Sequence, residues 1–136
     1  MRLSNILEEL KTSGMAVEWV RKPFILRPER KKLELWRDVL TTKYSRAWTE
    51  MFEDRMKQSG RELGIQFDFN GHVGNSFESL RLIHWVADCY PSKQEVLTRI
   101  LSRNHFEKNL CVGELSNLLK GKICFSLIIH VNLTPL

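Results

Sequence analysis

A chain of 136 residues that is 43% apolar and 27% charged is long enough for one domain with a real core and too apolar to be disordered. No apolar run approaches the roughly 20 residues that cross a bilayer. The amphipathic, acid-bearing opening M-R-L-S-N-I-L-E-E-L is unlike a secretory or transit leader, so a soluble, cytoplasmic chain with no membrane partner is expected. The formal charge of +5 raises nucleic acid as a partner, but the basic residues read as dispersed among acids. Their densest group, Arg27, Arg30, Lys31 and Lys32, stands with Pro28 and Glu29. It lacks the interleaved aromatics that stack bases, so a solvated loop and no nucleic-acid partner are expected.

In chain order, Leu3, Ile6, Leu7 and Leu10 recur at helical spacing, and Gly14 is a stop signal. Ala16 to Lys22 alternates, with Val17, Trp19 and Arg21 on one face and Ala16, Glu18 and Val20 on the other, which predicts a strand. Pro23 ends its ladder, and Phe24, Ile25 and Leu26 continue extended to Pro28. A lone strand needs partners for its N–H and C=O groups. Leu33, Trp36, Val39 and Leu40 predict a helix ending near Thr42. Ser45 caps a longer one, with Trp48, Met51, Phe52 and Met56 on one side and Glu50 and Glu53 largely outside. Glu53 and Lys57 form an i,i+4 pair, and Gly60 and Gly64 are the expected end. Ile65 to Phe69 alternates but runs at once into Asn70-Gly71, and reads as an extended connector.

Asn75 to Cys89 is the stretch around which the chain is organised. Asn75 with Glu78 predicts a capping box. Leu80, Ile83 and Ala87 make one apolar stripe, and Leu82, Trp85, Val86 and Cys89 make a second. Such a helix is expected to be covered on several sides and to end before Pro91. Ser92 with Glu95 predicts another box, opening a helix whose Val96, Leu97, Ile100 and Leu101 pack inward as far as Arg103. A polar turn region from Asn104 to Cys111 and a short helix from Gly113 to Leu119 follow. Ile123 to Val131 is a β-prone run without charge. It reads either as a strand beside Ala16 to Lys22 or as a foreign end, such as translated intron or frameshifted sequence, and the second is favoured.

Cys89, Cys111 and Cys124 form neither C-x-x-C nor a zinc spacing, so free thiols in a reducing compartment are expected. Cys89 would lie at a helix C-terminus, whose negative dipole end raises a thiol pKa. His72, His84, His105 and His130 show no ligand spacing. His84 is expected to be a core or boundary residue, with Asp88 placed to orient it. Ser4, near a helix N-terminus, is more simply a cap than a nucleophile.

The segments N-S-F-E-S-L-R-L-I-H-W, G-I-Q-F-D-F and V-E-W-V-R-K-P-F-I-L-R-P, in this order relative to one another along the chain from last to first, carry a resemblance. Residues 3–119 resemble the middle of a DsbA-like thioredoxin-fold oxidoreductase of the FrnE-like and 2-hydroxychromene-2-carboxylate-isomerase-like branch. The resemblance implies a helix-dominated α/β chain forming one partial thioredoxin-like domain: the end of a first helix, a second strand, a helical insertion over 33–119 and an atypical tail over 120–136. It implies thiol–disulfide exchange, or glutathione-dependent isomerase or transferase chemistry, with a protein thiol or disulfide or a glutathione-like molecule as partner. In the family the reactive residue opens the first helix in a C-P-W-C-type motif, where the helix dipole stabilises a thiolate, and a cis-proline loop faces it. Neither feature occurs in this sequence, so no catalytic, cofactor-binding or metal residue is assigned and no cofactor is expected. The loop that would face the family's groove carries Phe24, Arg27 and Arg30.

Overall fold

The computed structural model describes residues 2–119, with side chains from residue 5 onward. Helices dominate it. The order is α1 (Arg2–Thr12), β1 (Glu34–Leu35), α2 (Trp36–Lys43), α3 (Arg46–Glu62), β2 (His72–Val73), α4 (Phe77–Cys89), a 3-10 turn (Pro91–Lys93) and α5 (Gln94–Lys108), followed by a last helical turn at 115–119. The strands form one antiparallel ladder, Glu34 opposite Val73 and Leu35 opposite His72. A thioredoxin-like sheet is not present among the described residues. The strand predicted over 16–22 does not form among the described residues: the segment belongs to no helix and no ladder. The run at 123–131, with Cys124 and His130, lies outside the described residues.

The elements end where backbone chemistry dictates. Gly14 adopts φ +82°, and the N–H groups of Gly14 and Met15 donate to Lys11 and Leu10 carbonyls at 3.0 and 3.1 Å, closing α1 as predicted. The Ser45 hydroxyl accepts the Trp48 N–H at 3.2 Å, so α3 starts at its predicted cap. Gly64, at φ +69°, follows the end of α3, but Gly60 lies inside the helix. Its role is steric: a Cβ there would stand 2.6 Å from Phe67 Cδ2 and 2.7 Å from the Ile65 carbonyl oxygen. The connector folds back directly onto that glycine.

Three predicted boundaries shift. The Asn75–Glu78 box does not form: Asn75 Oδ1 accepts the Phe77 N–H at 2.9 Å, an Asx-turn, and Glu78 pairs with Arg81 instead. The Ser92–Glu95 box is also absent, because residues 91–93 make a 3-10 turn and Glu95 is drawn to Arg21. The fifth helix passes Arg103 and ends at Asn109, which takes the left-handed conformation at φ 56°. Asparagine tolerates that region through its short polar side chain, so here it serves where glycine is the usual signal.

The core lies between α4, α5 and the last turn. Val86, Leu97, Leu101 and Leu118 are buried, with Leu82, Ile83 and Val112 packed around them. The expectation that α4 is covered on several sides holds for Leu82 and Val86 of its second stripe and fails for Trp85 and Cys89, which are exposed. A second layer is aromatic. Tyr44, Trp48, Phe52, Trp36, Phe69 and Phe67 follow one another with ring centroids 4.1 to 5.9 Å apart, and Phe106 closes the series edge-on to Phe67. This stack joins α2, α3 and the connector to α5.

Two outcomes follow from the packing. Leu97→Ala removes a fully buried side chain and is expected to cost about 2–5 kcal/mol in chemical denaturation. Gly60→Ala ordinarily gains helix propensity. Here the Phe67 ring and the Ile65 carbonyl block the new methyl, and a loss of about 1–3 kcal/mol is expected by the same measurement.

Candidate binding surface

The surface with most chemistry to offer begins where α1 stops. Residues 15–32 carry no helix or strand and are tied to the helical unit at a few points. Arg21 Nη2 meets Glu95 Oε2 at 2.6 Å, Gln94 Nε2 donates to the Arg21 carbonyl at 3.4 Å, and Asn75 Nδ2 donates to the Pro28 carbonyl at 3.1 Å. Val17, Arg21 and Ile25 are half-buried, and the residues between them are exposed, Phe24 at 76% and Leu26 at 78%. Trp19 is 51% exposed, with the Arg21 guanidinium 6.0 Å from its ring centroid. Among the described residues, no backbone N–H from 16 to 26 donates to another backbone carbonyl.

Beyond Leu26 the chain turns, with the Arg30 N–H donating to the Arg27 carbonyl at 3.3 Å, and enters the ladder at β1. The turn encloses an open cleft of about 350 Å³ lined by Arg27, Glu29, Arg30, Lys31, Lys32 and Glu34. Arg30 has its side chain largely buried and lies 3.7 Å from Glu34. Arg27, Lys31 and Lys32 make no ion pair among the described residues and are exposed. Of the three groove residues expected from the sequence, Phe24 is exposed on that segment, and Arg27 and Arg30 line the cleft beside it.

The charge is not dispersed, contrary to expectation. Residues 19–32 hold six basic residues and one acid, leaving fifteen of each for the rest of the chain. The whole formal excess of +5 therefore belongs to this one surface. The count was available from the sequence and needed only a window of the right width.

Elsewhere the candidate groups stay apart. Cys89 is exposed at the end of α4, and Cys111 is buried, where desolvation pushes its thiol pKa up. His84 is exposed rather than at the core boundary, and its Nε2 lies 3.9 Å from Asp88, a loose surface pair. Among the described residues no group of three His, Cys, Asp or Glu is placed to hold a metal ion. Asp68, His72, His105 and Asn109 surround a cleft of about 10 Å³, the size of a single water. Its walls include His105 Nδ1 and Asn109 Oδ1, both buried without a partner among the described residues. Ser4 lies before the first described side chain. No protein-family model and no curated protein matches the chain.

Burial pulls the His105 pKa below the ordinary histidine value, against a smaller opposing contribution from the Leu110 backbone. The folded state thus resists a proton that the unfolded chain accepts. Stability is expected to fall as pH drops through about 6.5 and to level off below the folded pKa. Denaturation midpoints at pH 7.5 and 5.5 check this: the difference is expected to shrink in His105→Gln, and an unchanged difference would remove His105 as the cause.

Proposed function

We propose that this chain is a non-catalytic binding module related to the helical part of DsbA-like thiol–disulfide oxidoreductases, and that it holds a protein segment rather than exchanging thiols. The observation that carries the reading is the segment at 16–26, which forms no helix or ladder among the described residues. It is anchored to the α4–α5 unit, exposes Val20, Phe24 and Leu26, and leaves its backbone donors unpaired among the described residues. On the DsbA-like reading this segment is the second strand of a thioredoxin-like domain and residues 33–119 its helical insertion. A helix-rich unit with its own core, flanked by one segment that belongs to no helix, supports that assignment.

The two thiols among the described residues support the non-catalytic half of the reading. A nucleophilic cysteine needs an exposed thiolate stabilised by a helix N-terminus or a neighbouring cation. Cys89 has the wrong end of the helix, and Cys111 is buried in surroundings that keep it protonated. A second reading, glutathione-dependent isomerase or transferase chemistry in a longer form, draws on the cleft. Arg27, Lys31 and Lys32 could receive the carboxylates of a glutathione-like molecule there.

The test is thiol chemistry on the chain itself. In a coupled insulin-reduction assay with dithiothreitol or glutathione, the rate is expected to equal that without protein. Thiol-specific labelling is expected to modify Cys89 in the native chain and Cys111 only after denaturation. Turnover rising in proportion to the chain's concentration would overturn the non-catalytic reading.

A further inference from the structure

We infer that residues 16–32 form a docking edge for an extended, acidic segment of a partner protein, taken up as an added β-strand. The inference rests on the binding-module reading above and names its partner by chemistry. Three features converge on it.

The first is the backbone. A row of N–H and C=O groups left open along an extended chain is a template for strand addition. Residues 16–25 belong to no helix, turn or ladder, and Val17, Arg21 and Ile25 are half-buried against the helices, so an incoming strand would pair with backbone that no other element occupies among the described residues. The second is the apolar content. Val20, Phe24 and Leu26 stand exposed on the outer face, where alternate side chains of an added strand would cover them. The third is charge. Lys22, Arg27, Lys31 and Lys32 make no ion pair among the described residues, whereas Arg21 and Arg30 are occupied by Glu95 and Glu34. The unpaired cations flank the apolar positions and call for acids at the matching positions of the partner.

Other occupants fit less well. A second copy of this chain would bring the same basic edge, and like charges facing each other across a strand pair are destabilising. The chain's own last seventeen residues hold two lysines and no acid. Nucleic acid and an anionic membrane offer the charge but no alternating row of amide donors and acceptors to satisfy the edge.

The probe is a synthetic ten-residue peptide of alternating valine and threonine with two glutamates at each end, titrated into the full chain by fluorescence anisotropy. Expected are saturable binding, weakened by salt, and slowed amide hydrogen exchange over 16–26. Lys31→Glu with Lys32→Glu is expected to weaken binding roughly tenfold, as two partly exposed ion pairs would. Both positions are exposed, so the fold is expected to survive, which circular dichroism checks. The proposal is overturned by no binding at millimolar peptide, or by equal binding of a peptide with lysine in place of glutamate. It is also overturned by protection elsewhere than 16–26, by dimerisation of the free chain through this edge, or by an oligonucleotide or phosphatidylserine vesicle binding without slowing exchange there. None of these readouts involves a thiol, so a failure here and a failure of the non-catalytic reading are separate events.

Discussion

A buried carboxylate holds the two halves of the helical unit in register. Glu53 has only 6% of its side chain exposed, and Arg37 meets it through two hydrogen bonds, Nε to Oε1 at 2.5 Å and Nη2 to Oε2 at 2.6 Å. The third arm of the same guanidinium, Nη1, donates to Asn70 Oδ1 at 3.1 Å. One planar fork thus ties α2 to α3 and both to the connector that leads into β2. The ladder between β1 and β2 depends on that placement, as does the Trp36 N–H, which donates to the Gly71 carbonyl at 3.0 Å. The carboxylate raises the Arg37 pKa above its already high ordinary value, so the fork stays charged throughout the working range of a protein.

The same arrangement explains the aromatic layer. Trp36 and Arg37 are adjacent on α2, and Phe52 and Glu53 are adjacent on α3. The polar pair and the stacked rings therefore lie side by side, the ion pair setting the angle at which the rings meet. Gly60 sits further along α3 and admits Phe67 against the helix backbone. Phe67 and Phe69 then carry the layer across to Phe106 on α5. A charged fork at one end and a missing side chain at the other position the connector between them.

Much of this was legible in the residues, and the misses have physical causes. Helix existence followed from apolar spacing, and the Ser45 cap and the Gly14 stop follow local rules that tertiary context did not override. Both expected capping boxes failed because Glu78 and Glu95 had better partners in Arg81 and Arg21; one of those lies far away in sequence, where no local rule sees it. Glu53 reads as a surface residue because an acid four residues from a lysine satisfies a surface pattern. Lys57 does approach it at 3.7 Å, yet Arg37, sixteen residues earlier, decides its burial. The strand at 16–22 has the right alternation, but a strand is a property of two segments, and the described residues supply only one. For the candidate surface, the resemblance points to Phe24, Arg27 and Arg30, whereas the concentration of charge that gives them meaning lies in the composition of a fourteen-residue window, 19–32.

That concentration also answers the hazard such a segment poses. An edge bearing Trp19, Val20, Phe24 and Leu26 would be expected to pair with any exposed strand it meets. Pro23 removes one backbone donor from the middle of the edge, and Lys22 places charge beside the apolar positions, the devices by which sheet edges avoid indiscriminate pairing. Neither device abolishes pairing. The proline interrupts the ladder at one point, and the charges exclude partners of like sign while admitting those of opposite sign. An edge protected by charge of one sign is selective rather than closed. On the docking-edge proposal, the cations that would disfavour pairing with a second copy are the ones that would select the partner.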